Sequence, residues 1–323
     1  MIKNLVTLKA LVITGIIAIF ITVNVFILCL FSPGPLESKK TIIIEQNLPI
    51  SKISEKLYQE QIVQYPRLFT IVAKIYSIHK PMKSGEYLFT DHASIKQVLK
   101  TLVTGKSVVH KLIIPEGFTV QEIINQVNSE DRLLGKLNEN IPEGFLLPSV
   151  YFFSYGDTKQ QIVDQMHKKM TNALNSAMQK LLHKSLPINS RSEVLILASI
   201  VEKEAILDYE RPTIAAVFLN RLKRNMKLQA DPTVIYAITQ GKYRLNRKLT
   251  KADLQIPSEF NTYYIKGLPA TPISCPGIKS IDAVVEPDDT DALYFVLTQD
   301  NCSHSFSNNL NDHNKNVRQY NKK

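Results

Sequence analysis

Two glutamates, Glu202 and Glu204, lie in the middle of one long apolar stretch, residues 192–222, and either could perform acid–base chemistry. A carboxyl whose pKa is raised by partial burial can donate a proton and then take one back. On a helix, at about 100° per residue, the stretch has one buried stripe, formed by Val194, Leu197, Ala198, Val201 and Ala205. The two glutamates fall on opposite edges of that stripe, roughly 160° apart. Such a helix can therefore present only one of them to an active site.

The expected neighbours favour Glu202 over Glu204, because residues three and four positions apart are neighbours on a helix. Glu202 is expected beside small residues such as Ala198 and Ser199, which leave room for a ligand. Glu204 is expected beside bulky residues and the like charge of Asp208. The alternative is that both are ordinary surface glutamates, since charged residues often flank an apolar stripe.

Several blocks surround this pair in a fixed order: ASIVEKEA, NRLKRNMKLQADPTVIY, FNTYYIKGLPATPI, CPGIKSI, LYFV and HSFSNNLNDHN. With these blocks the chain resembles the YceG-like family, the membrane-anchored endolytic murein transglycosylases. The resemblance covers most of the chain outside the N-terminal apolar segment and is densest from Leu197 to His313. An earlier block, EGFLLPSVYFF, departs from the family's common EGFLFPDTYFF, so Ser149 stands where the family has an acid.

The resemblance implies a lytic cut of the MurNAc–GlcNAc bond in nascent peptidoglycan glycan strands, which ends strand elongation. No water is added, and the product carries a 1,6-anhydroMurNAc end. One catalytic glutamate suffices for this chemistry, and the resemblance assigns it to the first glutamate of the VEKE block, Glu202. His304 is the rival acid–base group, since histidine titrates near neutrality. The alternative role for His304 is that of a loop histidine that only forms hydrogen bonds.

Polar residues in the matching blocks are candidates for holding the sugars, because amides, phenols and carboxylates can bond sugar hydroxyls and N-acetyl groups. The set is Ser199, Asn220, Gln229, Asp231, Asn261, Tyr263, His304 and Asn308. Asp231 has an alternative role as the N-cap of a helix that begins at ADPT. Neither a metal site nor a cofactor is expected, since Cys275 and Cys302 lie outside any C-x-x-C or His/Cys cluster. Both cysteines are expected to be dispensable for activity, and the sequence leaves open whether they pair.

A different class of function stays open: a non-catalytic, membrane-anchored protein that binds peptidoglycan or serves as a scaffold. Such a protein would share most of these blocks and differ mainly around the catalytic glutamate. A serine hydrolase is excluded by the lack of a G-x-S-x-G or S-x-x-K context.

Composition indicates a globular, basic protein: 323 residues are 44% hydrophobic and 21% charged, with a net charge of +10. Removing Lys3 and Lys9 with the N-terminal segment leaves +8, from 10 minus 2. A basic surface suits a polyanion, but no nucleic-acid motif accompanies it and the basic residues are dispersed. The charge indicates a membrane or an acidic wall polymer as partner, or simply a solvated surface.

The segment from Leu11 to Phe31 has 21 residues without a charge, which is long enough to cross a bilayer as a helix. No A-x-A-like site follows it, so a retained single-pass anchor is expected and not a cleaved signal peptide. Lysines lie on both sides of the span and leave its orientation open. The resemblance implies that residues 1–10 are cytoplasmic and that the rest lies outside the plasma membrane. It also gives peptidoglycan synthases as candidate partners.

The fold class expected is α+β, with two modules after the anchor. Residues 41–110 alternate strand and helix, with Ser51 and Ser94 expected at helix starts and Gly105 at a helix end. This segment resembles the family's LysM-like module, which binds glycan; a simple spacer is the alternative. Residues 111–323 form the YceG-like catalytic domain, built around the glutamate-bearing helix. In this domain we expect a break near Arg211–Pro212, a helix over 158–186, a buried strand at ALYFVL, and a loop at HSFSNN.

Overall fold

The computed structural model describes residues 2–78, 80–137 and 140–321, with side chains from Leu11 onward. Met1, the side chains of the predicted cytoplasmic segment 1–10, and the last two residues of the predicted domain 111–323 lie outside the described residues.

The described part of the chain is a mixed α+β protein, as the sequence predicts. The helices are α1 (Ile2–Phe31), α2 (Ile50–Gln59), α3 (Pro66–Ser77), α4 (Ile95–Thr104), α5 (Val120–Asn128), α6 (Lys159–Leu181), α7 (Arg191–Glu204), α8 (Arg211–Lys223), α9 (Asp231–Thr239), α10 (Ile278–Val285) and α11 (Leu310–Tyr320). The strands are β1 (Lys40–Ile44), β2 (Gly85–Phe89), β3 (Val109–Ile113), β4 (Val150–Ser154), β5 (Tyr294–Leu297) and β6 (His304–Ser307). They form three two-stranded sheets, β1–β2, β3–β4 and β5–β6.

Helix α1 contains the apolar span expected from the sequence. Residues Leu11–Phe31 have a mean hydropathy of 2.7, and none of this segment is buried inside the described chain. A helix of this length and composition can cross a bilayer, and an N-terminal signal sequence has the same properties.

The chain divides into two compact units. The N-terminal unit is Met1–His110 with Ser154–Gly156, and the C-terminal unit is Lys111–Phe153 with Asp157–Lys323. In the N-terminal unit, β1 and β2 are antiparallel, with Ile42 opposite Tyr87. Helices α2, α3 and α4 bury their apolar faces against this pair.

Local capping signals in the N-terminal unit act largely as predicted. Ser94 caps α4 in a reciprocal capping box with Gln97, and Gly105 ends the helix in the left-handed conformation at φ 65°. One prediction here is wrong: α2 begins at Ile50, and its N-cap is Pro49 instead of Ser51.

In the C-terminal unit, α7 is the buried centre of the main core. It packs against α6, α8 and α10, and every residue from Val194 to Glu202 is buried. Ser190 and Glu193 form a capping box that fixes the start of α7. A second cluster joins α5, the first half of α6 and the β3–β4 pair.

The stretch 192–222 is two helices, and the break comes earlier than the predicted position near Arg211–Pro212. Helix α7 ends at Glu204, because Ala205 is already extended at φ −74° and ψ 123°. Helix α8 begins at Arg211, with Pro212 in its first turn, where a missing N–H costs little. A short 3₁₀ turn, Asp208–Glu210, lies between the two helices, so residues 205–210 do not continue α7 past Glu204.

Three further boundaries differ from the sequence predictions. Helix α6 ends at Leu181, short of the predicted 186. Asp231 is the first residue of α9, whose N-cap is Ala230. The segment expected as a loop at HSFSNN begins with strand β6, so His304 lies in a sheet paired with Leu297.

Candidate active site

Glu202 occupies a closed polar cluster inside the C-terminal unit. Its Oε1 accepts from Nη1 of Arg211 at 3.0 Å. Its Oε2 accepts from the backbone N–H of Gly277 at 2.8 Å and from the hydroxyl of Ser280 at 2.9 Å. The Glu202 and Arg211 side chains are only 4% and 7% exposed. Both oxygens are thus used within the protein.

This cluster explains why α7, α8 and α10 converge. Gly277 is the N-cap of α10, and a carboxylate there is stabilised by the unpaired N–H groups of the helix end. Arg211 opens α8 and also bonds Asp208 in the preceding connection. The room for a ligand that the sequence predicts beside Glu202 is therefore absent, because side chains remote in sequence fill it.

Glu204 has the opposite surroundings. It is the last residue of α7, its side chain is partly buried, and it lines a cleft of about 700 Å³. No hydrogen-bond or salt-bridge partner for its carboxyl is found among the described residues. Removal from water, together with the negative charge of Asp231, raises the pKa of Glu204 to about 8. A carboxyl of this kind holds a proton at neutral pH and can release it.

Asp231, Tyr263 and Gln229 line the same cleft. The Tyr263 hydroxyl donates to Asp231 at 2.7 Å, and burial raises the pKa of Tyr263, so the phenol stays a donor. Gln229 has a left-handed backbone at φ 54°, and its side-chain oxygen accepts from Arg221. These residues present acceptors and donors of the kind that bind sugar hydroxyls.

His304 also lines the cleft, and its ring and backbone both contact the carboxyl of Glu210. Its Nδ1 lies 2.7 Å from Glu210 Oε2, and its backbone N–H donates to the other oxygen of the same carboxyl at 2.8 Å. Both side chains are only 5% exposed. This contact fixes the ring of His304 and leaves Nε2 as its second polar atom.

Four of the predicted binding residues lie elsewhere. Ser199 and Asn261 are fully buried, and Ser199 bonds Ile196 and Ile273 in the core. Asn261 bonds the backbone of its own loop. Asn220 donates to the carbonyls of Thr290 and Ala292, and exposed Asn308 donates to Asp291. The observed contacts of these four residues anchor loops and core.

The cleft wall contains residues that sequence reasoning missed, chiefly Arg221, Tyr294 and His313. The Arg221 guanidinium lies 5.1 Å from the ring centroid of Tyr294, and Tyr294 stacks on His313 at 5.1 Å. Nδ1 of His313 is buried, with no hydrogen-bond partner among the described residues. Burial lowers the pKa of His313, so the ring is neutral at pH 7. An unpartnered buried nitrogen in a cleft wall is available to a ligand.

The sequence model of the YceG-like family matches residues 42–319. The chain belongs to the YceG-like family. The resemblance stated from its sequence blocks is thereby confirmed.

Curated relatives of this YceG-like chain carry the name endolytic murein transglycosylase. The protein from Streptococcus pneumoniae serotype 2 is 28% identical over 335 residues, which cover 89% of this chain and 60% of the relative. This chain therefore spans about 60% of the length of that relative. The protein from Bacillus subtilis is 30% identical over 326 residues, covering 90% of this chain and 88% of the relative. A crystal structure of a yceG-like protein from Listeria monocytogenes matches with a TM-score of 0.53 and 30% identity, covering 86% of this chain and 99% of the other.

The raised pKa of Glu204 predicts a pH-dependent stability difference between this YceG-like chain and its Glu204→Gln variant. The folded chain keeps a proton on Glu204 that an unfolded glutamate releases near pH 4.5. The contribution of Glu204 to the free energy of unfolding is therefore fully present below about pH 4.5. It is lost as the pH rises toward 8, because the unfolded glutamate ionises first. Glutamine cannot ionise, so the variant should gain Tm relative to the parent across that window, by the equivalent of a few kcal/mol at about 1.4 kcal/mol per pKa unit. Melting curves that stay parallel from pH 4 to pH 9 would contradict the assignment.

The three cysteines of this YceG-like chain are free thiols. Cys302 is exposed, so Cys302→Ser should change the free energy of unfolding by less than about 0.5 kcal/mol and leave activity unchanged. Cys275 is fully buried, and Cys275→Ser should cost about 1 kcal/mol because a hydroxyl replaces a weakly polar thiol in an apolar cluster. Urea melts and activity assays on both single variants check this. Lost activity in folded Cys302→Ser would show a role that the structure does not indicate.

Proposed function

We propose that this protein is an endolytic murein transglycosylase in which Glu204 is the single acid–base group. The observation that carries the proposal is a partly buried carboxyl that lines a cleft of about 700 Å³ and whose pKa is raised to about 8. The curated relatives named endolytic murein transglycosylase support the reaction class. Their names point to peptidoglycan as the substrate of this chain as well.

The reaction needs two proton transfers and no water. Glu204 donates its proton to the glycosidic oxygen while the bond from that oxygen to C1 of the MurNAc ring breaks. The GlcNAc residue leaves with a free hydroxyl, and positive charge develops at C1. Glu204 is now a carboxylate and takes the proton of the C6 hydroxyl of the same MurNAc residue. The C6 oxygen forms a bond to C1 as it loses that proton. The 1,6-anhydroMurNAc end forms, and the glutamate is protonated again.

The family resemblance assigns this role to Glu202, and the contacts of Glu202 favour Glu204 instead. A general acid must reach the leaving oxygen within hydrogen-bond distance. Both oxygens of Glu202 are already bonded to Arg211, Gly277 and Ser280. We propose that Glu202 holds the three helices together and that Glu204, two residues further along at the helix end, does the chemistry.

The other cleft residues are proposed to bind and orient the glycan. Asp231 keeps negative charge near Glu204, which favours the protonated form of that acid. Gln229, Tyr263 and His304 offer donors and acceptors to sugar hydroxyls and N-acetyl groups. The unpartnered Nδ1 of His313 is a further candidate contact.

A second candidate function is ordinary hydrolysis, favoured by the presence of Asp231 in the same cleft. Two carboxyl groups across a sugar are the usual equipment of glycoside hydrolases. Here one oxygen of the Asp231 carboxyl is already occupied, because it accepts from the Tyr263 hydroxyl. A third possibility is a non-catalytic wall-binding or scaffold protein, which would leave glycan strands intact.

The experiment incubates the purified chain with glycan strands and identifies the new ends by mass spectrometry. Anhydro ends, each lighter than a reducing end by one water, are expected. Reducing ends would favour the hydrolase, and intact strands would favour the binding protein.

For localisation we propose that α1 is a retained single-pass anchor in the plasma membrane and that the remainder lies outside the cytoplasm, where the substrate is. The N-terminal unit is proposed to contain the LysM-like glycan-binding module at residues 41–110, and peptidoglycan synthases are proposed as partners that supply nascent strands. The α/β composition of the unit supports the module, and the apolarity of Leu11–Phe31 supports the anchor.

This topology predicts that protease added to intact spheroplasts removes the C-terminal unit, while the chain stays in the membrane fraction beforehand. A cytoplasmic marker protein serves as the control for intact membranes. Survival of the C-terminal unit alongside that marker would reverse the proposed orientation. Recovery of a shortened chain in the soluble fraction would indicate a cleaved signal sequence.

A further inference from the structure

Helix α3 of the N-terminal unit has apolar residues on two opposite faces. One face buries Phe69 and Ala73 in the core. On the other, Ile71, Ile75 and the C-cap residue Ile78 are 54%, 60% and 76% exposed. Residues spaced by three and four share one side of a helix, so these isoleucines form a continuous strip. An exposed strip of this kind on a folded unit indicates a partner surface.

An apolar groove of about 620 Å³ lies beside this helix. Val72 and Tyr76 of α3 line one side, and residues of α4 such as Leu99 line the other. Leu30 and Phe31 close it, and these are the last two residues of the apolar span of α1. The groove therefore begins where a membrane-spanning α1 would leave the hydrocarbon.

The charged residues lining the groove are all basic: Lys80, Lys96 and Lys100. Nζ of Lys96 lies 4.6 Å from the centroid of the Phe31 ring, which places a cation at the end of the span. Tyr76 is 51% exposed at the same site. Lysines and an amphipathic aromatic ring around an apolar surface are the usual residues of a membrane–water interface.

We propose that the strip and the groove form a docking surface for the bilayer next to α1, with a preference for anionic phospholipid. The isoleucines of α3 enter the boundary between headgroups and acyl chains, as in interfacial amphipathic helices. The three lysines bind lipid phosphates from the edge of the groove, a contact that attracts anionic lipid and weakens with salt. The N-terminal unit is then held flat on the membrane and not on a loose tether. The proposal rests on the proposed anchoring by α1.

Tryptophan fluorescence tests the docking in the full chain, because the native sequence contains no tryptophan. Ile75→Trp places the probe in the strip. Gln46→Trp is the matched control. Gln46 is exposed and lies two residues after Ile44, the C-terminal residue of β1. Both are reconstituted in nanodiscs containing phospholipid brominated on its acyl chains, and iodide is the quencher from water. We expect strong bromine and weak iodide quenching for I75W, and the reverse for Q46W.

The lysines are tested by exchanging which lipid carries bromine. Brominated phosphatidylglycerol should quench I75W several-fold more than brominated phosphatidylcholine at the same mole fraction. The difference should vanish at high salt and when Lys80, Lys96 and Lys100 are all changed to glutamine. All three are exposed, so these variants should keep the parental Tm.

The outcomes separate the two levels of the proposal. If the chain stays in the nanodiscs but iodide quenches I75W as strongly as Q46W, the docking proposal is wrong and the anchoring proposal is retained. If bromine quenching is strong but equal for both lipids, the anionic preference falls. If the chain does not stay with the nanodiscs, the anchor and the docking surface both fall.

Discussion

Glu204→Gln should abolish formation of 1,6-anhydro ends while leaving the fold and glycan binding intact. Glutamine keeps the shape and hydrogen-bonding capacity of the side chain but has no proton to give. Loss of general acid–base function typically costs about 10²–10⁴-fold. Here one residue serves both proton transfers, so we expect the upper end of that range or more. The measurement is the rate of anhydro product per folded molecule on defined glycan strands.

Glu202→Gln is the matched control, because it makes the same chemical change two residues away. Its product rate per folded molecule should stay within about tenfold of the parent, since Glu202 does not line the cleft and its hydrogen bonds are internal. The reverse result, an inactive Glu202→Gln beside an active Glu204→Gln, would restore the assignment that the family resemblance implies. Binding of the strands by both variants separates lost chemistry from lost affinity.

Glu202→Gln should instead lose stability. It leaves Arg211 inside the protein without its buried partner, and breaking one side of a buried ion pair typically costs about 3–5 kcal/mol. The Arg211 side chain is only 7% exposed, so water cannot replace the lost carboxylate. Asp208 still bonds the guanidinium and should limit the loss to the lower end. Urea unfolding of the purified variant measures it.

The double variant Glu202→Gln with Arg211→Met tests whether the pair is the cause. Removing both charges leaves neither one stranded, so the double variant should be destabilised by less than the sum of the two single changes. Strictly additive losses would mean that the two residues contribute separately, through packing and not through their contact.

Short-range structure in this chain is readable from its sequence. Ser94 and Gly105 bracket α4 as predicted, because a capping side chain and a left-handed glycine act within one turn of the backbone. The stripe residues Val194, Leu197, Ala198 and Val201 are buried as predicted, although the residues between them are buried as well. These features depend on residues at most four positions apart.

The contacts of Glu202 differ from those that its position on a helix predicts, and the reason is long-range. The predicted neighbourhood assumed a helix continuing past Glu204, but the backbone turns at Ala205. The space beside Glu202 is filled by Arg211 and by Gly277 and Ser280, which are 75 and 78 residues further along the chain. No periodicity within one segment encodes such contacts.

The residues that line the cleft are only partly predictable from the sequence. The polar groups of four residues predict sugar contacts, and these residues lie together around Glu204: Gln229, Asp231, Tyr263 and His304. The same criterion also selects Ser199 and Asn261, which are buried hydrogen-bonding residues of the core. Side-chain chemistry alone does not distinguish a ligand contact from an internal one. The fold decides it.

The most direct test of the account is digestion of glycan strands in water labelled with heavy oxygen, followed by mass spectrometry of the new ends. If Glu204 transfers both protons and the C6 oxygen attacks C1, every new muramyl end is anhydro and carries no label. The Glu204→Gln variant should then give no new ends at all. Labelled reducing ends would mean that water is the nucleophile, and the single-glutamate mechanism proposed for this chain would be contradicted.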